Sequence, residues 1–386
     1  MMVLPNLVLI GGGHSHAIAL KLWGINPIPG VRLTLITNTC YTPYSGMLPG
    51  HVAGFYKFEE IHLDLRYLSQ FSQAQFCLEQ VIGLDLINNQ VICQNYPPIS
   101  FDYLSIDIGS TPKTDQVPGA STYAIRAKPV PQFLEAWNQL INQVINTPQN
   151  TYSVSIVGGG AGGVELALNM QTRLQNILQN SHQPLDNLTI HLLHQGSTLL
   201  TGHNDWVSKR FQQILKERKI QIYLNEKVTK IAPKIDNNYQ IICQSGLIIP
   251  SNPIFWVTQA SAPNWIKESG LMTDEKGFIL VNNYLQSLSH PHIFATGDIA
   301  TIEHYPRPKA GVFAVRQGQP LFNNLQRIIL DKPLKSYIPQ KYYLSLIGTG
   351  DKKAIASWGC FGWESSWLWT WKDYIDRQFM AKFKPK

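Results

Sequence analysis

Two glycine-rich segments, each placed between an apolar run and a helix-like stretch, constrain this chain more than any other feature of its sequence. They are LVLIGGGHSHAIAL and SVSIVGGGAGGVELAL. The glycines concerned are Gly11, Gly12, Gly13, Gly158, Gly160 and Gly163. A lone segment of this kind is common by chance, but two in matching surroundings predict two strand–turn–helix units.

The surroundings of the two segments repeat as well. VRLTLIT, FCLEQVIGLDLINNQVICQNYPPI and FDYLSIDIGS follow the first segment, and LTIHLLH, IQIYLNEKVTKIAPKIDNNYQIICQSGLIIP and PIFWVTQAS follow the second. Both blocks have the order strand, helix, strand, β-meander and closing strand. The sequence therefore predicts an internal repeat of a whole α/β domain.

Such a unit is suited to binding a dinucleotide. Its first glycine permits the tight turn, its second lets the backbone approach a pyrophosphate, and the helix N-terminus offers free N–H groups to the phosphates. In the first segment His16 replaces the third glycine, so we expect that helix to lie slightly further from its strand. Two blocks predict two dinucleotides; the alternative is a pair of ordinary glycine turns.

Composition excludes several other classes of protein. The 386 residues allow two or three domains, and no apolar run is long enough to span a membrane. The N-terminal MMVLPNLVLI has no basic region or cleavage site and is typical of a first strand, so we expect a cytoplasmic protein. Nucleic-acid binding has no supporting motif.

The five cysteines are too far apart in the sequence for a CxxC pair. This spacing excludes a local zinc knuckle or redox-active dithiol and predicts five single buried thiols. His14 and His16 have no cysteine or acidic cluster beside them, so no metal site is predicted. The cysteines are Cys40, Cys77, Cys93, Cys243 and Cys360.

Residues 331–386 are basic and rich in tryptophan, with ten lysines or arginines against five acids. Their last helix-like stretch has an apolar stripe at helical spacing. The stripe consists of Leu368, Trp371, Ile375, Phe379 and Phe383. It could contact an anionic membrane surface, form a homodimer interface or cover the protein's own core, and apolar stripes are more often structural.

Four segments, GGGHSHA, FDYLSIDIGSTP, GGGAGGVELAL and IFATGDIA, resemble the FAD-dependent pyridine nucleotide-disulfide oxidoreductases. Within them the chain looks closest to the type II NADH dehydrogenase-like proteins fused ahead of selenophosphate synthetase (selenide, water dikinase). TPYSGMLPG, QSLSHP, RPKAGVFAVRQG and WKDYIDRQFMA match that group, over residues 5 to 383. The resemblance implies a link to selenium metabolism, with that synthetase as a fused or associated partner. No kinase-like segment follows Lys386, so the chain is either a stand-alone member or part of a longer protein.

The resemblance implies an α/β fold with two Rossmann-like dinucleotide-binding domains and a small C-terminal α+β region. A discontinuous FAD domain would comprise about 1–115 and 265–330, and an inserted NAD(P)H domain 116–264. Residues 331–386 would form a C-terminal interface region. Like its relatives, the protein would be cytoplasmic or peripheral on the inner face of the membrane.

The implied FAD site draws on both segments of its domain. Gly11 and Gly13 would face the pyrophosphate, Asp298 the ribityl and phosphate region, and the loop 43–46 the isoalloxazine, unless that loop is an ordinary surface loop. The implied FAD residues are Gly11, Gly12, Gly13, His14, Ser15, Thr37, Asn38, Pro43, Tyr44, Ser45, Gly46, Val81, Gly109, Gly297 and Asp298.

The second segment would bind NAD(P)H. Glu165 matches an acid that points toward the nicotinamide and flavin in relatives; the alternative is an acid in the first helical turn, stabilised by the dipole. Neutral residues stand where an acid often binds the ribose, which leaves NADH and NADPH both open. The implied NAD(P)H residues are Gly158, Gly160, Gly163 and His194.

The implied enzyme passes a hydride from NAD(P)H to FAD and then electrons to a quinone or other small acceptor. Lys309 and a helix beginning after VFAVRQG would supply positive charge near the flavin. Gly311, Val312 and Arg316 stand where quinone-reducing relatives carry other residues, so that Lys309, Arg316 and Gln317 would form a cationic pocket suited to a polar acceptor. Two alternatives are a sulfide or selenium oxidoreductase and a flavin-bearing partner of selenophosphate synthesis.

Overall fold

The computed structural model describes residues 5–234, 238–258 and 260–384. Its helices are α1 (His14–Ile25), α2 (Leu48–Val52), α3 (Phe58–Ile61), α4 (Leu65–Phe71), α5 (Ala120–Tyr123), α6 (Val130–Asn146), α7 (Ala161–Asn180), α8 (Asp205–Glu217), α9 (Asn264–Glu268), α10 (Gly311–Ile329) and α11 (Ser366–Ala381).

The strands of the first half are β1 (Asn6–Ile10), β2 (Arg32–Thr37), β3 (Tyr41–Pro43), β4 (His62–Asp64), β5 (Gln75–Leu78), β6 (Val81–Asp85), β7 (Gln90–Cys93), β8 (Ile99–Ser100), β9 (Tyr103–Ile106), β10 (Thr111–Pro112), β11 (Ile125–Arg126), β12 (Tyr152–Val157) and β13 (Leu188–Leu193). Those of the second half are β14 (Gln221–Tyr223), β15 (Val228–Pro233), β16 (Tyr239–Cys243), β17 (Ile248–Ser251), β18 (Ile254–Trp256), β19 (Ala260–Ser261), β20 (Ile279–Val281), β21 (Ile293–Ala295), β22 (Ala300–Ile302), β23 (Ser345–Gly348), β24 (Ala354–Trp358) and β25 (Phe361–Ser365).

A five-stranded parallel sheet with the order β21-β9-β1-β2-β5 forms the first layer of the fold. Leu7 in β1 lies opposite Leu33 in β2 and Tyr103 in β9. The apolar run of β1 is buried throughout, as expected for a parallel strand covered on both faces. Since β21 comes from a distant part of the chain, two separate segments build this one sheet.

The second sheet has the order β11-β18-β12-β13-β14 and is also parallel. β12, β13, β14 and β18 occupy the places of β1, β2, β5 and β9. The three-stranded antiparallel meanders β6-β7-β8 and β15-β16-β17 correspond in the same way. The predicted internal repeat is therefore present in the strand order.

The predicted α/β fold class, with two Rossmann-like units, is confirmed by these sheets. The domain bounds 1–115 with 265–330, 116–264 and 331–386 stay a proposal, which the strand order supports. None of the helices in the described part of the chain is long and apolar enough to cross a membrane.

A three-stranded antiparallel sheet, β23-β24-β25, precedes α11 in the C-terminal region. Leu368, Phe379 and Phe383 of the apolar stripe are buried in the same core as β1 and α1, and Trp371 packs against it. Ile375 remains 40% exposed. Of the three possibilities for the stripe, most of its residues therefore fit the third, which is packing on the protein's own core.

Candidate functional site

The first glycine-rich turn places the N-terminus of α1 at the end of β1. Gly11 has φ +90°, and a Cβ there would lie 2.5 Å from Asp107 O, so only glycine fits. Its amide donates to Ile36 O at the end of β2. Gly13 caps the helix in extended conformation, and its own amide donates to Asp107 O. The turn is thereby fixed between two neighbouring strands.

His16 fills the space that a third glycine would leave. Its ring is fully buried, with Nδ1 2.6 Å from Gly11 O and Nε2 2.8 Å from Ser105 Oγ in β9. In the second unit the equivalent Gly163 packs so closely that a Cβ would lie 1.8 Å from Gly158 O. The imidazole therefore connects α1 to its sheet through hydrogen bonds where Gly163 does so by direct backbone contact.

Asp298 lies at the end of the segment IFATGDIA, next to the first unit. Its Oδ2 accepts from Lys128 Nζ at 2.8 Å and from Ser110 Oγ at 2.8 Å. Burial acts to raise the pKa of Asp298, but the charge and hydrogen bonds of Lys128 and Ser110 outweigh it and hold that pKa below its usual value. Sequence reasoning missed Lys128, which is 170 residues from its partner.

The loop 43–46 packs against three helices and is not an ordinary surface loop. Pro43 ends β3, and the ring of Tyr44 lies 5.5 Å from that of His14 in α1 and 4.5 Å from that of Phe379 in α11. A Cβ at Gly311, the first residue of α10, would lie 2.7 Å from Ser45 Oγ. Gly46 O accepts a hydrogen bond from Lys372 in α11. Contacts with α1, α10 and α11 thus fix the position of the loop at Tyr44, Ser45 and Gly46.

Around these residues the structure leaves room and free polar atoms that suit an FAD molecule. Gly109 has φ +71°, and a Cβ built on it meets no atom within 4 Å. In the part of the chain that the structure describes, the buried Thr296 Oγ1 and His14 Nε2 have no hydrogen-bond partner. A buried polar atom without a partner is costly, so both fit contacts to a polar cofactor.

The remaining implied FAD residues lie at two edges of this site. Thr37 ends β2 and its O accepts from Glu79 N, which brings it near Val81 at the start of β6; Asn38 beside it is exposed. Ser15 Oγ donates to Ala314 O in α10 at 2.6 Å, and Gly297 N donates to Gln317 Oε1 at 2.6 Å. The structure thus gathers residues from the first and last thirds of the chain.

The second glycine-rich turn has the same construction. Gly158 has φ +130°, and its amide donates to Leu193 O. Gly160 caps α7, and a Cβ on it would enter open space, which suits the approach of a pyrophosphate. Gly159 N donates to His194 Nδ1 at 3.2 Å, and burial lowers the pKa of that imidazole. The neutral ring then carries its proton on Nε2 as a hydrogen-bond donor.

Glu165 is the fifth residue of α7 and not an acid of the first turn, so that alternative was wrong. Its carboxylate is buried, with Oε1 accepting from Gly348 N at 2.8 Å. Burial raises the pKa of Glu165 to about 7, although the positive charge of Lys372 opposes the shift. A carboxyl with such a pKa can hold or release a proton near neutral pH.

Lys372 and Asp376 form a buried ion pair that sequence reasoning missed. Lys372 Nζ lies 2.6 Å from Asp376 Oδ2, and the two side chains are 8% and 7% exposed. The only signal in the sequence was an i,i+4 Lys–Asp pair on a stripe that is otherwise apolar. The pair lies between the loop 43–46 and Glu165.

Lys309 Nζ donates to Ala300 O at 2.7 Å and to Thr301 Oγ1 at 2.9 Å, above the ring of Phe278. Burial lowers the pKa of Lys309 to about 8, while Asp274 and Asp298 act to raise it. Lys309 is therefore bound to backbone and hydroxyl oxygens, and its role as a positive charge near the flavin stays a prediction.

One prediction about this segment was wrong. The helix does not begin after VFAVRQG; α10 begins at Gly311, because Phe313, Ala314 and Leu321 form one buried helical face. Arg316 is exposed, whereas Lys309 and Gln317 line one small cavity together with Arg307, so the cationic pocket stays a prediction. The prediction of five buried thiols was also wrong, since all five cysteines are free but only Cys93 and Cys243 are buried.

A cavity of about 740 Å³ opens between the two dinucleotide-binding units. Val257, directly after β18, lines it from the second unit. Lys128 also lines it from the second unit, and Ser110, Asp298 and Lys309 line it from the first. Both units therefore border one shared space.

Comparisons with known proteins agree with this fold. The family model described as pyridine nucleotide-disulphide oxidoreductase matches residues 5–318. NADH dehydrogenase-like protein YutJ of Bacillus subtilis (strain 168) is 25% identical over 360 residues, covering 91% of each chain.

Two solved structures share the fold at low identity. The sulfide:quinone oxidoreductase of Aquifex aeolicus has a TM-score of 0.78 at 20% identity, covering 98% of this chain and 91% of its own. NDH2 of Plasmodium falciparum has a TM-score of 0.80 at 15% identity, covering 98% of this chain and 97% of its own.

Proposed function

Because the chain belongs to the pyridine nucleotide-disulphide oxidoreductase family, we propose that its site carries electrons from NAD(P)H to a quinone or another small acceptor. It is an FAD-dependent NAD(P)H oxidoreductase of the NADH dehydrogenase-like type, and both predicted cofactors are confirmed. The residue roles and the identity of the acceptor are proposals that rest on the site described above.

The single observation that carries this proposal is the cavity between the two units. An electron transfer from one dinucleotide to another needs the two reactive rings in contact, and the cavity is bordered by Val257 of one unit and by Asp298 and Lys309 of the other. Each unit also presents a glycine-bounded helix N-terminus, at α1 and α7, for the phosphates of its own dinucleotide.

When bound, FAD supplies the chemistry, since it accepts a hydride from NAD(P)H and passes the electrons on. The protein's own residues hold and orient it. The turn at Gly11, Gly12 and Gly13 would bind the diphosphate, and Asp298, held by Lys128, would bind the ribityl chain. The loop 43–46 would contact the ring system, because α1, α10 and α11 hold that loop in place.

Glu165 is proposed to hold a proton for the reduction of the acceptor, since a quinone takes up protons together with electrons. Its pKa of about 7 allows both protonation states near neutral pH. Lys309, which lines the cavity together with Asp298, is proposed to provide positive charge there.

Anaerobic titration of the FAD-loaded protein with NADH and NADPH tests the proposal. We expect the visible flavin absorbance to bleach with at least one of them, and a quinone from a panel of acceptors to restore it. A protein that binds FAD but bleaches with neither nucleotide would contradict the proposed donor. Comparing the two nucleotides also tests the second site. His194 stands where an acid would repel the 2′-phosphate of NADPH, and its N–H can donate a hydrogen bond to that phosphate.

A sulfide or selenium oxidoreductase is less well supported by these residues. Such chemistry commonly uses a thiolate nucleophile, but burial raises the pKa of Cys93 to about 11 and also raises that of Cys77. Cys40, half-buried just before the loop 43–46, is the one thiol placed for such a role. The same acceptor and donor panel should therefore include sulfide and selenide, with Cys40→Ser as the test variant.

The association with selenophosphate synthesis is a finer proposal that rests on the sequence resemblance alone. Its supporting segments are TPYSGMLPG, QSLSHP and WKDYIDRQFMA. Co-purification of this chain with a selenophosphate synthetase from the same cells would test it. Peripheral membrane contact and a homodimer remain proposals for the exposed aromatic residues of the C-terminal region, among them Trp363 and Trp367.

A further inference from the structure

Asp107 is a buried acid that the proposed function leaves unexplained. It follows β9 directly, and its carboxylate caps the N-terminus of α1 from another part of the chain. Oδ2 accepts from Ser15 N at 2.9 Å and from His16 N at 3.2 Å. A carboxylate is thus bound at the helix end that would also attract the FAD diphosphate.

The second oxygen of Asp107 lies between two glycines of the proposed FAD site. A Cβ on Gly13 would lie 2.2 Å from Oδ1, and a Cβ on Gly297 would lie 2.4 Å from the same atom. Gly13 belongs to the turn after β1, and Gly297 precedes Asp298. The carboxyl group therefore occupies space that both loops keep free of side chains, at the place where the diphosphate would bind.

No positively charged side chain of the described residues forms an ion pair with Asp107. Two lysines lie near Asp298: Lys128 is paired with it, and Lys309 is bound to Ala300 O and Thr301 Oγ1. Burial raises the pKa of Asp107 to about 7; the hydrogen bonds from His16 N and Ser15 N oppose this shift, and the negative charge of Asp298 adds to it. An ionised Asp107 and a diphosphate in one buried space would repel each other strongly.

We propose that Asp107 is a protonated ligand of the FAD diphosphate, and that FAD binding takes up one proton from solvent. In that form Oδ2 continues to cap α1, while the proton on Oδ1 is donated to a phosphate oxygen. This inference rests on the proposed FAD site and adds to it a residue and a proton that the family's glycine turn does not require.

The pH dependence of FAD affinity follows from linkage. The bound diphosphate raises the pKa of Asp107 further. Below the pKa that Asp107 has in the FAD-free protein, the group is protonated before and after binding, so the dissociation constant of FAD does not change with pH. Above that pKa the constant rises, by at most tenfold per pH unit for one proton. His14 and His16 also face this site, but burial lowers the pKa of each to about 4, and Asp298 is ionised. Lys309, near Asp298, has a pKa that burial lowers to about 8; it is unchanged in Asp107→Asn, so that variant separates its titration from that of Asp107. The diphosphate itself is ionised throughout.

The test dilutes FAD-loaded protein at a series of pH values from 6 to 9 and measures released flavin by its fluorescence. For the unchanged protein we expect the dissociation constant to rise at least tenfold between pH 7 and pH 9. Asp107→Asn keeps an oxygen for the amides of α1 and offers an N–H to the phosphate. Its dissociation constant for FAD should equal that of the unchanged protein at pH 6 and should not rise between pH 7 and pH 9. Asp331→Asn, an exposed change of the same kind, should keep it.

Calorimetry of FAD binding at pH 8 in buffers of different ionisation enthalpy provides a second measurement that needs no variant. We expect uptake of about one proton per FAD, which is the stoichiometry that linkage predicts for a single group. A flat pH profile, an Asp107→Asn profile with the original slope, or no proton uptake would overturn the inference. Failure to bind FAD at any pH would instead contradict the FAD site itself.

Discussion

Glu165 is a carboxyl group that the fold buries at a cost in stability. It accepts a hydrogen bond from Gly348 N, and its nearest opposing charge, Lys372, is bound to Asp376. The folded protein therefore favours the neutral form of Glu165, with a pKa of about 7 compared with 4.5 for the free side chain. Such an acid is rarely retained for stability alone, which supports its proposed role in holding a proton.

Replacing Glu165 with glutamine should change how stability depends on pH. The folded state binds the proton more tightly than the unfolded state, so ionisation of Glu165 destabilises the fold as pH rises from about 4.5 to about 7. Glu165→Gln should therefore gain up to about 3 kcal/mol relative to the unchanged protein between pH 5 and pH 8. Urea unfolding at the two pH values measures this gain.

Glu135→Gln, an exposed change in α6, is the matched control and should show the same pH dependence as the unchanged protein. Equal effects of Glu165→Gln at pH 5 and pH 8 would mean that Glu165 is already ionised at pH 5.

A site residue could be predicted from the sequence where neighbouring residues alone determine its role. Gly11 and Gly158 were predictable because the backbone turn itself demands glycine. Lys128 and Asp107 were not, because their partners lie 91 to 170 residues away and no local pattern marks the pairing. Lys372 has Asp376 four residues further on, but its hydrogen bond to Gly46 spans 326 residues and has no local signal. Lys309 was predicted near the site, but its hydrogen bonds to Ala300 and Thr301 depend on how α10 packs.

At the scale of elements, α1 and α7 begin in the same way but pack on their sheets differently. Repetition of strand order could be predicted because both blocks repeat the same alternation of apolar and polar runs. The start of α10 could not, since its glycine and proline neighbours resemble a loop and only the buried face of the helix fixes where it begins. His16 and Gly163 show that one topology allows two kinds of contact at the same place.

Two neighbouring glycines of α7 should respond in opposite ways to alanine. A Cβ at Gly163 would lie 1.8 Å from Gly158 O, and since that atom is backbone, the helix must move. We expect Gly163→Ala to destabilise the protein by about 1–3 kcal/mol. At Gly162 the nearest atom is Val257 Cγ1 at 3.7 Å, so Gly162→Ala should be neutral or stabilising by up to about 1 kcal/mol.

Thermal unfolding of the two variants without added nucleotide measures this difference. Similar melting temperatures for both would show that α7 does not need the close contact with the turn at Gly158.

At the scale of the whole molecule, α11 joins parts of the chain that are far apart in sequence. Its Phe379 and Met380 are buried in the core of the first unit, and its Lys372 reaches Gly46 in the loop 43–46. The neighbouring β23 supplies Gly348 N to Glu165 in the second unit. The C-terminal region thus contacts the proposed flavin loop and the proposed proton-holding residue together, and its folding and the integrity of the site should be lost together.

Lys372→Ala should therefore damage both stability and FAD retention. It leaves Asp376 buried without its partner, which typically costs about 3–5 kcal/mol, and it frees Gly46 O from its donor. Arg377→Ala is the matched control on the same helix: its pairs with Glu60 and Asp373 are exposed and should contribute less than about 1 kcal/mol. Urea midpoints and the fluorescence of released flavin give the two readouts. If Lys372→Ala lowers the midpoint without increasing flavin release, α11 stabilises the fold but does not hold the loop 43–46 in place for the cofactor.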